Sequence, residues 1–137
     1  MYFKFIGKKI SLKDNLKKLD EIAKFDYNWN GYSADPIPQE IVEEVRSILN
    51  GLEEAGLEQP FIAPHPGGIQ IEWEKRNGFY LEMHVQDSDR EEDSYETFMC
   101  YWKPKRSDKG FTFEGRVTKD QKHINNLVKF WLGQELK

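Results

Sequence analysis

The stretch Gly67 to Val85, GGIQIEWEKRNGFYLEMHV, constrains the fold more than any other part of the chain. Ile69, Ile71 and Trp73 alternate with Gln70, Glu72 and Glu74. After a short polar break, Phe79, Leu81, Met83 and Val85 alternate with Tyr80, Glu82 and His84. Period-two alternation on both sides of a turn predicts an antiparallel hairpin with one buried face. Register then follows from packing. A two-residue Asn77-Gly78 turn is the commonest hairpin choice, but it would set Trp73 opposite Glu82 and Ile71 opposite His84, mixing the faces. A three-residue loop, Arg76-Asn77-Gly78 with Gly78 left-handed, pairs Ile69 with Val85, Ile71 with Met83 and Trp73 with Leu81. Residues opposite one another share a face, so this register keeps all six apolar side chains together. It also sets Glu72 against Glu82, Gln70 against His84 and Glu74 against Tyr80.

The remaining segments supply cover for the apolar face. Tyr2, Phe3, Phe5 and Ile6 suit a short strand or a packed arm. Ser11 is placed to cap a helix over about Leu12 to Phe25, with Leu12, Leu16, Leu19, Ile22 and Ala23 as its apolar stripe. Residues 25–38, FDYNWNGYSADPIP, form a structured loop, and Pro36 and Pro38 fix the start of a second helix. That helix carries Ile41, Val45, Ile48, Leu49 and Leu52 on one stripe and ends near Ala55 or Gly56. Phe61 and Ile62 suit a brief edge strand or an anchor, before Pro64 and Pro66 flank His65 in an extended run. Past the hairpin, QDSDREED suits a solvated loop. It lacks the spaced ligands and central glycine of a Ca²⁺ hand. Ser94 to Lys103 is the next strand, with both faces rather apolar, so pattern leaves its buried face open. Phe111 to Val117 is the last, and Thr118 would cap a third helix bearing Ile124, Leu127, Val128, Trp131 and Leu132. The fold class is α+β: an antiparallel meander of four strands, or five if Phe61 pairs, covered on one side by N-terminal and C-terminal helices.

At 137 residues this suits a single domain, residues 1–137, with a real core. Aromatic residues make up 14% of the chain, so the core should be rich in rings. A net charge of −4 argues against a dedicated nucleic-acid binder. The one cysteine, Cys100, excludes an internal disulfide and a thiolate metal cluster. No apolar run approaches ~18 residues, so no membrane span is expected. The start MYFKFIGKKI is too mixed for a signal peptide, and cytoplasmic location is the expectation. Charge is segregated: residues 1–34 and 97–137 are net basic, and 35–96 strongly acidic. The acidic middle either neutralises the basic ends within the fold or offers a surface to a basic partner.

Three places invite a functional reading. On the polar face of the hairpin, Glu72, Glu82 and His84 converge, with Tyr80, Gln70 and Glu74 nearby. Opposed carboxylates suit an oxygen-rich metal site or an acid–base pair. They equally suit a solvated sheet face. In the loop, Tyr27, Trp29 and Tyr32 form either a binding platform or a plug for the core. His65, between two prolines, is accessible by position. A third place is the basic and aromatic strip Tyr101, Trp102, Lys103, Lys105, Arg106, Lys109, Phe111, Phe113, Arg116, Lys119 and Lys122, which mixes rings and cations as single-strand nucleic-acid platforms do. No HExxH, GxSxG or phosphate-cradling glycine loop is present.

Trp29-Asn30-Gly31-Tyr32, then Ala34, Pro36 and Ile37, followed by Pro64-His65-Pro66-Gly67-Gly68-Ile69 and Glu72-Trp73, resembles a pattern found in small uncharacterised proteins of bacteria and their phages. That pattern runs W-(D/N)-G-Y-x-A-x-P-I, a helix, then P-x-P-x-G-x-I-x-x-E-W. The resemblance covers residues 27–85. It implies a bacterial or phage origin, a cytoplasmic setting, and a shared structural unit in which Trp29 packs near the start of the hairpin. It supplies no catalytic residues.

Together these features lean away from an enzyme. The expected function is a non-enzymatic interaction or regulatory module that binds another protein through the acidic sheet face or the aromatic loop, with no cofactor. An exposed aromatic sheet face would also suit a homodimer. Two alternatives remain: a small metal-dependent hydrolase using Glu72, Glu82 and His84, and nucleic-acid binding through the 101–122 strip.

Overall fold

The structure, a computed structural model, describes residues 9–103 and 106–133, with the side chains of 102, 103 and 106–110 left aside. The N-terminal strand expected at Tyr2 to Ile6 lies outside the described residues. Helix α1 (Leu12–Ile22) starts where Ser11 accepts a hydrogen bond from the Asp14 amide at 3.0 Å. It stops short of Phe25, because the Phe25 amide donates to Ile22 and tightens the last turn. Helix α2 (Gln39–Glu54) follows Pro38 and buries Ile41, Val42, Val45, Ile48, Leu49 and Leu52. Its C-cap Ala55 is followed by Gly56 at φ +71, the left-handed turn that lets the chain leave.

Five strands follow: β1 (Phe61–His65), β2 (Gly68–Glu74), β3 (Phe79–Gln86), β4 (Ser94–Lys103) and β5 (Arg106–Thr118). They form one antiparallel meander in the order β1-β2-β3-β4-β5. The hairpin register is the one that keeps the apolar face intact: Ile69 pairs with Val85, Ile71 with Met83 and Trp73 with Leu81. Its loop closes by a Lys75 amide to Phe79 carbonyl bond of 3.0 Å, with Gly78 at φ +95. The Phe61 stretch is a full fifth strand. Pro64 is tolerated within it because, among the described residues, β1 lies at the sheet edge and pairs on one side alone.

One core joins the inner sheet face to all three helices. Ile62, Ile69, Ile71, Trp73, Phe79, Leu81, Met83 and Val85 meet Leu19 and Ile22 of α1 and the buried stripe of α2. Helix α3 (Gln121–Leu132) adds Ile124, Val128, Trp131 and Leu132. Tyr95, Met99 and Tyr101 of β4 point into this core, so Phe98 and Cys100 lie on the opposite face. Phe79 packs edge-on to Trp131 at 5.1 Å and tilts against Tyr101 at 4.7 Å.

Three expectations need correction. Helix α3 is capped by Asp120, whose carboxylate accepts from the Lys122 amide at 2.9 Å, while Thr118 belongs to β5. Strand β5 begins at Arg106 rather than Phe111, because Arg106 pairs with Lys103 of β4. The QDSDREED stretch is not wholly solvated. It makes a short 3₁₀ turn over Asp87–Asp89 and buries Asp89.

Candidate functional site

Antiparallel pairing places the outward residues in rows across the sheet. Phe61, Glu72, Glu82, Phe98 and Glu114 form one row. Ala63, Gln70, His84, Glu96 and Arg116 form the next, and His65, Gly68 and Gln86 line up beside it. The sequence-predicted residues Glu72, Glu82, His84 and Tyr80 do converge here, joined by Gln70. The Tyr80 hydroxyl lies 2.6 Å from Glu72 Oε2 and 2.7 Å from Glu82 Oε1. The Gln70 amide donates to the same two oxygens at 2.8 and 3.1 Å. His84 Nε2 stands 2.5 Å from Glu82 Oε2. The carboxylates therefore face bridging donors, and Glu72 is buried at 4% exposure.

This setting shapes the titration of the groups around it. Burial, then the hydrogen bonds to Glu72 and Glu82, holds the Tyr80 hydroxyl far above its usual range. Lys18 reaches from α1 to the rim of the same face, its Nζ 4.0 Å from the Phe61 ring centroid. Burial lowers the Lys18 pKa, against the pull of Glu72 and Glu21.

His65 joins this face from β1, which sequence pattern alone did not reveal. Its ring centroid lies 5.8 Å from that of His84. Its Nδ1 sits 3.1 Å from the Pro66 carbonyl oxygen, and its buried Nε2 has no hydrogen-bond partner among the described residues. Burial lowers the His65 pKa, with the nearby His84 adding to that direction and the Pro66 and Glu82 contacts opposing it.

The loop between α1 and α2 is a second, separate candidate. Asn30 Oδ1 accepts from the amides of Tyr32 and Ala34, and Asn28 Oδ1 from that of Ser33. The Asn28 amide closes on the Ala34 carbonyl at 2.6 Å. Asn28, Gly31 and Ser33 all adopt positive φ, and the side-chain bonds of the asparagines hold the loop in that shape. Trp29 stacks on Phe25 at 5.0 Å, donates to the Asp35 carbonyl at 2.8 Å and packs against the core. Tyr27 and Tyr32 point outward at 62% and 87% exposure. The loop is thus both things the sequence allowed: Trp29 is the plug, and the tyrosines are displayed.

The acidic loop meets the described end of the basic strip at Asp89. Asp89 accepts from Gln86 and pairs with Arg116, which also bonds Ser94 and approaches Glu96. Lys119 donates to the Asp89 carbonyl and lies beside Glu44. Tyr101 is buried, and Phe111 and Phe113 stack together against the Trp131 edge. The rings of the strip turn towards α3 while Arg116 and Lys119 are held by carboxylates and carbonyls. The side chains of Trp102, Lys103, Lys105, Arg106 and Lys109 lie outside the described residues.

Among the described residues, no group of three or more His, Cys, Asp and Glu side chains is arranged to hold a metal ion. Nor is any described helix long and apolar enough to cross a membrane. The chain matches no protein-family model, no curated protein and no solved structure.

Proposed function

We propose that this chain is a non-enzymatic protein-binding module that engages its partner through the 25–38 loop. The observation that carries the reading is the pair of exposed tyrosines, Tyr27 and Tyr32, on a loop whose backbone is held by asparagine side chains. Tyrosine offers a large amphipathic contact at low entropy cost, and a preorganised loop has little ordering left to do on binding. The loop carries exposed Asp26 and Asp35 and no Lys or Arg. Its chemistry therefore favours a partner that presents arginine or lysine, which a tyrosine face and a carboxylate can hold together. The acidic sheet face is the weaker docking surface, because Glu72 and Glu82 are already engaged with Tyr80, Gln70 and His84. The same engagement weighs against the hydrolase reading. The resemblance to small uncharacterised bacterial and phage proteins implies a bacterial or phage origin and a cytoplasmic setting for that partner.

The test is capture from a lysate of the source bacterium on immobilised chain, comparing wild type with Tyr27→Ala/Tyr32→Ala. A partner that binds wild type, is released by salt and is lost with the double variant supports the reading. Capture of the same proteins by both, or of none by wild type, overturns it.

A further inference from the structure

We infer that His65 and His84 form a two-imidazole site for a late divalent transition metal such as Zn²⁺, on the polar sheet face beside Gly68. The first argument is the tautomer of His65. A carbonyl oxygen can only accept, so the 3.1 Å contact to Pro66 puts the ring hydrogen on Nδ1. In the neutral ring the lone pair then sits on Nε2, which is buried without a hydrogen-bond partner among the described residues.

His84 is oriented by the same logic. Its Nε2 faces the Glu82 carboxylate at 2.5 Å, which leaves Nδ1 with the lone pair in the neutral ring. Glu82 is in turn held by Tyr80 and Gln70. An imidazole that gives one N–H to a carbonyl or carboxylate keeps its other nitrogen as a ligand, the arrangement that orients metal-binding histidines. Here His65 is held in this way through a carbonyl and His84 through a carboxylate.

The spacing fits a shared ion. With metal–nitrogen bonds of about 2.1 Å and near-tetrahedral angles, two imidazoles on one ion have centroids roughly 5–6 Å apart. The observed separation is 5.8 Å. Gly68 lies opposite His65 and adds no side chain between the two rings. A Cβ there would come within 2.3 Å of the Val85 carbonyl oxygen, so the position stays bare. Glu82 beside His84, and Glu96 opposite it, make the surroundings favourable for a cation. Two nitrogen ligands suit Zn²⁺, Ni²⁺ or Cu²⁺ over Mg²⁺, with water completing the coordination. Such a site acts independently of the tyrosine loop.

Calorimetric titration of the full chain with Zn²⁺ tests it, with Mg²⁺ as the comparison. One Zn²⁺ site is expected, weakened at least ~10-fold by His65→Ala and by His84→Ala. His123→Ala, at the only other histidine, should leave it unchanged. In the wild type, substoichiometric Ni²⁺ should broaden the imidazole NMR signals of His65 and His84 before those of His123. This readout does not depend on any variant folding. No Zn²⁺ binding by wild type, binding that survives His65→Ala, or broadening centred on His123 would each overturn the assignment.

Discussion

Glu72 lies directly opposite Glu82 on the neighbouring strand, with both carboxylates turned to the polar face of the sheet. Like charges in this relationship destabilise a sheet. Here the Gln70 amide donates one hydrogen to an oxygen of each, and the Tyr80 hydroxyl, with its single hydrogen, stands within hydrogen-bond distance of the same two oxygens. A repulsive pair has become a bridged one, and the bridge joins two strands of the hairpin around which the chain folds.

Removing the hydroxyl should therefore be costly. Tyr80→Phe leaves the buried Glu72 carboxylate with fewer donors, and a loss of about 1–3 kcal/mol is expected in urea unfolding. The change should be non-additive with Glu72→Gln, by ~0.5 kcal/mol or more, because the two substitutions break one network. An additive cycle would show that the bridge contributes nothing.

Alkaline pH should act through the same group. Tyr80 and Tyr95 both have folded pKa values raised by burial and by neighbouring carboxylates. Their contribution is complete below the unfolded value of about 10 and falls as pH rises beyond it. Stability measured by urea unfolding should decline above that pH. Tyr80→Phe and Tyr95→Phe should each make the decline shallower, and an unchanged slope would contradict the assignment.

The loop should divide cleanly into a structural part and a displayed part. Tyr27→Ala/Tyr32→Ala should change stability by no more than ~0.5 kcal/mol, as surface substitutions do. Trp29→Ala, which removes the ring stacked on Phe25 and packed on the core, should cost about 2 kcal/mol or more. Thermal unfolding of both variants gives the comparison.

Helix α3 offers a check on local chemistry. Asp120→Ala should cost about 1 kcal/mol through loss of the cap. Thr118→Ala should cost less, since Thr118 lies in β5 and does not cap the helix. Equal losses would return the cap to Thr118.

Much of the fold could be read from residue order because packing left few choices. Six apolar residues had to share one face, and that requirement alone selected the loop at Gly78 and the Glu72–Glu82 pairing. Ser11 was legible as a cap because Asp14 stands three residues on. Thr118 misled because Asp120, two residues later, is also a strong cap, and strand pairing to Ser94 decided between them. The partnership of His65 with His84 was hidden because Pro64 breaks the alternation of β1, so its pairing with β2 left no pattern. Asp89 looked solvent-bound because its partner Arg116 lies far along the chain. Tyr80 was legible as a neighbour of the two carboxylates, but its contact with both was not, because register sets it opposite Glu74 and its reach is diagonal.

The central claim, recognition through the tyrosine loop, is tested most directly by site-specific photo-crosslinking in the source cells. A benzophenone side chain in place of Tyr32 should yield a discrete protein adduct. The same group in place of Glu91, exposed on the separate acidic loop, should not. An adduct from position 91 but not 32, or none from 32, would contradict the account.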